Sequence, residues 1–117
     1  MKLVEIVKLL DAKVITCEEK IDGLEVESIG AADMMSEVLA FSKENALLLT
    51  GLITPQVIRT AQMMDLVAVM FVRGKNPSED TIELSNKVGI PILVTKELLY
   101  TACGKLYNEN VPSCKEN

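Results

Sequence analysis

The residue types able to hold an anion gather between positions 50 and 96: Thr50, Gly51, Thr54, Arg73, Gly74, Lys75, Thr95 and Lys96. Arg73 and Lys75 offer cationic partners to a phosphate or carboxylate. The threonines and glycines stand where strands are expected to give way to helices, whose free N–H groups and positive dipole ends favour anions. The competing reading is bland, because capped helices and an exposed basic loop occur at this edge of any α/β domain. Neither a G-x-G-x-x-G series nor a G-x-x-x-x-G-K-[ST] loop surrounds Thr50-Gly51. Catalysis finds less support. The chain has no histidine, which removes every Ser-His, Cys-His and His-metal mechanism, and no nucleophile stands beside a base. Asp33 and Glu37 lie one helical turn apart, but they read as a cap and a surface charge rather than a metal pair. Cys17, Cys103 and Cys114 are odd in number and show no C-x-x-C spacing. Cys103 reads as a small apolar residue of the last helix, and Cys114 as a thiol in a polar tail. No catalytic residue and no metal site are expected.

Positioning the candidate residues falls to a strand–helix unit that repeats. Apolar runs at 47–50, 66–72 and 90–94 are too short for helices, and amphipathic segments follow each at 54–64, 77–88 and 96–105. Strands joined by one helix must run parallel, so their carboxyl ends share the edge where open α/β sheets bind small molecules. Thr54 before Pro55, Asn76 with Glu79 in a capping box, and Thr95 are the expected helix starts. Gly51 is expected to permit a tight or positive-φ turn. The run at 66–72 is apolar without alternation, as a central strand covered on both faces would be. Leu98, Leu99, Ala102, Cys103 and Leu106 make the expected buried stripe of the last helix.

Ahead of the repeats the spacing predicts an amphipathic helix over 2–10, a short strand over 13–16 and a solvated turn at 18–20. A half-buried strand should follow at 24–31, then a helix over 34–41 capped by Asp33, with Met35, Val38 and Leu39 inward. The methionines fit core packing better than an adaptable interface. The expected fold is α/β: a single domain of βα repeats around a mainly parallel sheet, with an irregular N-terminal helix and two short strands. It should occupy residues 1–107, with a flexible C-terminal tail at 108–117.

Composition narrows the partners. Among 117 residues, 17 acidic side chains outnumber 12 basic ones, and the formal net charge is −5. The basic residues are scattered, so neither a nucleic acid nor an anionic membrane is an expected partner. Apolar residues make up 49% of the chain, enough for a core without disulfides. Charges recur along residues 1–8, unlike a signal peptide, and no apolar run approaches the ~20 residues of a membrane span. The expected location is the cytoplasm.

Several stretches, in this order, resemble the DRTGG domain family over nearly the whole chain. They are Met1-Lys2-Leu3-Val4-Glu5-Ile6-Val7, the segment 32–40, Asp65-Leu66-Val67-Ala68-Val69-Met70-Phe71, Gly74-Lys75-Asn76-Pro77-Ser78-Glu79 and Gly89-Ile90-Pro91-Ile92-Leu93-Val94-Thr95. That domain occurs alone, in some phosphotransacetylases and between CBS domains of regulated pyrophosphatases, and is similar in fold to the N-terminal domain of HPr kinase/phosphorylase. Cys103-Gly104-Lys105-Leu106-Tyr107 resembles the end of stand-alone members, some encoded near hydrogenase or iron–sulfur proteins. The namesake motif is replaced by Leu52-Ile53-Thr54-Pro55-Gln56, in which only the threonine survives. Two apolar residues on an exposed loop meet a protein chain more often than an anion, so Leu52 and Ile53 are candidate interface residues.

The resemblance implies a non-catalytic regulatory or protein-interaction domain. It would form a homodimer and sense a nucleotide or other small anion, with no bound cofactor and with a protein partner in a redox or phosphotransfer system. A dimerisation scaffold without a small ligand is the alternative, and a small phosphate-related enzyme subunit is the third reading.

Overall fold

In a computed structural model, which describes residues 1–114, the elements run α1 (Leu3–Leu9), β1 (Lys13–Val14), a 3-10 turn (Glu18–Gly23), β2 (Ser28–Ala31), α2 (Met35–Phe41) and β3 (Ala46–Thr50). They continue with α3 (Pro55–Met63), β4 (Ala68–Phe71), α4 (Glu79–Val88), β5 (Ile92–Val94) and α5 (Leu99–Asn108). The strands form one sheet in the order β1-β5-β4-β3-β2. Strands β2 to β5 are parallel neighbours in sequence order, and only β1 runs antiparallel, on β5. The expected mainly parallel α/β fold is therefore the fold observed.

Alternation along the central strands divides the core. Leu48, Val69, Phe71, Ile92 and Val94 meet Val57, Ile58 and Ala61 of α3, with Leu84 and Val88 of α4 packed alongside. Leu47, Leu49, Ala68, Met70 and Leu93 meet Leu3 and Ile6 of α1 and Ala102 and Leu106 of α5 on the opposite face. Strand β4 is buried on both faces, as its unbroken apolar run requires. Helices α4 and α5, which follow neighbouring strands, thus pack on opposite faces.

Several boundaries move. Helix α2 starts at Met35, and the Asp33 side chain does not cap it. Helix α4 is capped by Ser78, whose Oγ accepts from the Thr81 N–H at 3.3 Å, rather than by Asn76. Helix α5 begins at Leu99, well past Thr95. In each case the candidate cap bonds elsewhere or lies too far from the first turn. Strand β2 covers only the end of the predicted 24–31 segment, yet Val26 and Ser28 are buried as the alternation requires. Leu98 and Leu39 are exposed rather than inward. The segment expected to fray from Asn108 is held as far as Cys114: the Ile29 N–H donates to Pro112 O, the Cys114 N–H donates to Ile29 O, and Val111 and Cys114 are buried. Backbone pairing along the free side of β2 explains this order. The rest of that predicted tail, 115–117, lies outside the described residues.

Candidate functional site

The carboxyl edge of the sheet collects the loops after β2, β3, β4 and β5. Because β2 lies beside β3, Asp33 reaches the loop that follows β3. Its Oδ1 accepts the Gly51 N–H at 2.8 Å and the Thr50 hydroxyl at 3.1 Å. The Thr50 Oγ1 in turn accepts the Leu52 N–H at 3.1 Å. From the β4 loop, the Lys75 Nζ donates to Gly51 O at 3.1 Å, and the Arg73 guanidinium lies over Gly51 where any Cβ would collide with it. Gly51 does not take a positive φ; what it supplies is room for this close approach. The backbone N–H of Gly51 holds the Asp33 carboxyl below its ordinary range. Partial desolvation opposes that effect, while Thr50, Arg73 and Lys75 reinforce it.

The β4 and β5 loops are stitched together. Arg73 N–H donates to Glu97 O and Gly74 N–H to Thr95 O, each at 2.8 Å. Arg73 and Gly74 both hold left-handed backbone, with φ of 62° and 66°, which costs a non-glycine residue of order 1 kcal/mol. Thr95 is buried; its hydroxyl donates to Leu10 O at 2.7 Å and accepts the Glu97 N–H at 3.2 Å. It anchors the loop to the end of α1 and offers nothing to a ligand. Lys96 is exposed, with its side chain packed along Gly74.

The candidates therefore divide. Thr50, Gly51, Arg73 and Lys75 come together around Asp33. Gly74 and Lys96 lie side by side on the surface, Thr54 is exposed before α3, and Thr95 is turned inward. Asp33 belongs to the site and was missed as a capping residue; the signal that finds it is strand order, since adjacent parallel strands deliver adjacent loops. Leu52 and Ile53 are half-buried against the core rather than exposed, and Ile53 O accepts the Thr81 hydroxyl at 2.7 Å. Among the described residues no cluster of carboxylates and thiols has the arrangement of a metal site.

A mainly parallel sheet with helices on both faces and basic residues in the loops at its carboxyl edge defines a class of small α/β domain. The chain belongs to the DRTGG domain family, whose model matches residues 5–108. No curated protein matches. Among solved structures, the chain is similar to the crystal structure of the CBS and DRTGG domains of the regulatory region of Clostridium perfringens pyrophosphatase, complexed with its activator diadenosine tetraphosphate. The TM-score is 0.71 at 19% identity, over 99% of this chain and 51% of that one. This chain thus spans about half the length of that regulatory region. The likeness is one of fold.

Proposed function

We propose that this chain is a non-catalytic regulatory domain that senses a small anion, a nucleotide foremost, at the carboxyl edge of its sheet. The observation that carries the reading is the parting of α4 and α5 from the adjacent strands β4 and β5, with Arg73, Lys75 and Lys96 at the gap. Open α/β sheets take ligands where neighbouring connections leave for opposite faces. The presence of a DRTGG domain in a nucleotide-activated regulatory region supports the ligand class. The Lys75 ammonium donates to Gly51 O and the Arg73 guanidinium lies against Gly51, which leaves the exposed Lys96 as the cation of the three most open to a ligand.

The test is thermal unfolding of the full chain against adenine and guanine nucleotides, dinucleotides, phosphate and acetyl phosphate. A ligand at ~100 times its Kd stabilises by about 2.7 kcal/mol, a shift of several degrees for a domain of this size. A shift abolished by Lys96→Glu is expected. A flat panel contradicts the sensor reading.

Assembly is the second part of the proposal: a cytoplasmic homodimer that also offers a surface to a protein of a redox or phosphotransfer system. What favours the dimer is apolar exposure along α5 and just before it, where Leu98, Tyr100 and Tyr107 are 60%, 88% and 80% exposed. A scaffold with no small ligand predicts the same dimer together with a flat ligand panel. Among the described residues no helix is long and apolar enough to cross a membrane.

A further inference from the structure

Beside the gap between the β4 and β5 loops lies a cleft of about 630 Å³, within the ~300–1,000 Å³ range of small-molecule sites. Its wall toward the sheet is apolar. Val94 is buried there, and Ile15 packs against the same core. Lys13 pairs with Val94 across the β1–β5 ladder, and Lys96 lies two residues past Val94, where β5 ends. Both lysines are exposed, and among the described residues neither ammonium has a hydrogen bond or an ion pair. Two unpaired cations, one on β1 and one two residues past the end of β5, thus flank one apolar floor. Asp11 and Asn76 bring polar side chains to the same cleft, from the α1–β1 turn and the loop entering α4.

We propose that this cleft binds a nucleoside phosphate, with phosphate oxygens on the Lys13 and Lys96 ammonium groups and the base on the Ile15–Val94 floor. The inference rests on the sensor reading above and gives that ligand its place. An inorganic anion fills only a fraction of this volume and makes no use of the apolar floor. The Asp11 carboxylate keeps phosphate away from its own side of the cleft, toward the two lysines, and accepts a hydrogen bond from a ribose hydroxyl. Paired ammonium groups strengthen each contact to phosphate through charge. Arg73 and Lys75, turned toward Asp33 and Gly51, lie outside this contact set.

The experiment is calorimetric titration of the full chain with ATP and, separately, with inorganic tripolyphosphate. Wild type is expected to bind ATP saturably and tripolyphosphate at least tenfold more weakly. Lys13→Ala and Lys96→Ala should each weaken ATP at least tenfold, whereas Arg73→Ala should change it less than threefold. Lys13→Gln, which keeps a long polar side chain but not the charge, should behave as Lys13→Ala does. ATP affinity unchanged in both Lys13 variants overturns the cleft assignment; if Arg73→Ala abolishes binding instead, the sensor reading stands at a different part of the edge. Tripolyphosphate binding as tight as ATP overturns the base contact. No ATP binding by wild type overturns this inference and the nucleotide part of the sensor reading together.

Discussion

Asp33 shows how one side chain changes its meaning with its neighbours. In sequence it precedes a helix and has the type of a cap; in the fold it binds the Gly51 N–H and the Thr50 hydroxyl of the next loop. Its folded pKa lies below the ordinary value, so the ionised form is favoured by folding. The stability it contributes is therefore present above the unfolded value of ~3.9 and is lost as pH falls through the lower folded value. Across an acid melting series, Asp33→Asn should flatten that acid-side part of the wild-type profile. Identical slopes would contradict the assignment. Glycine meaning shifts in the same way. Gly51→Ala should displace the Arg73 guanidinium at a cost under about 1 kcal/mol, since a flexible side-chain end gives way. Gly74→Ala should cost about 1 kcal/mol or more, because φ there is +66°. Chemical denaturation of the two variants measures both, and a costlier Gly51→Ala would reverse the reading.

At the scale of elements, threonine and serine hydroxyls tie loops and helices to the sheet. The Ile92 N–H donates to Thr16 Oγ1 at 2.9 Å, and the Ser85 hydroxyl donates to Ile90 O at 2.5 Å. With the Ser85 proton so used, the Thr16 hydroxyl donates to Ser85 Oγ across 2.5 Å. This buried relay joins β5, α4 and the segment after β1. Thr16→Val leaves the Ile92 N–H without its acceptor, for an expected loss of about 1–3 kcal/mol, read as a lower denaturant midpoint with unchanged slope. A loss under half a kcal/mol would show that water replaces the relay. These bonds also explain why helix starts were poorly legible. Thr95 has the type and spacing of a cap, but Leu10 O and the Glu97 N–H take its hydroxyl. Such partners are distant in sequence, so local patterns point to the nearest helix instead. Strands β3, β4 and β5 were legible because burial on both faces demands short unbroken apolar runs.

For the whole molecule, the repeated strand–helix order was enough to give the parallel sheet and the edge that its carboxyl ends share. Two things lay beyond it. Only the pairing of β1 on β5 brings Lys13 beside Lys96, and only the return of residues 112–114 along β2 buries Cys114. Both are long-range contacts with no periodic signature. Leu52 and Ile53 departed from the exposed loop expected of them because they pack on the core. Leu52→Asp should therefore lower stability, whereas Tyr100→Asp with Tyr107→Asp should dissociate a homodimer and leave the monomer's melting intact. Sedimentation equilibrium of wild type and variants checks this; a wild type that is monomeric at all micromolar concentrations contradicts the assembly reading.

A nucleotide bound at the carboxyl edge of this sheet must perturb the amides of the loops there. Amide NMR during an ATP titration tests that binding most directly, because glycine amides are well separated and sit at both edges. The Gly74 amide is expected to shift saturably, together with Lys96, while Gly89 beside the 3-10 turn's Lys20 stays in place. Shifts confined to Gly89 and its surroundings, or no saturable shift at any amide, would contradict the account.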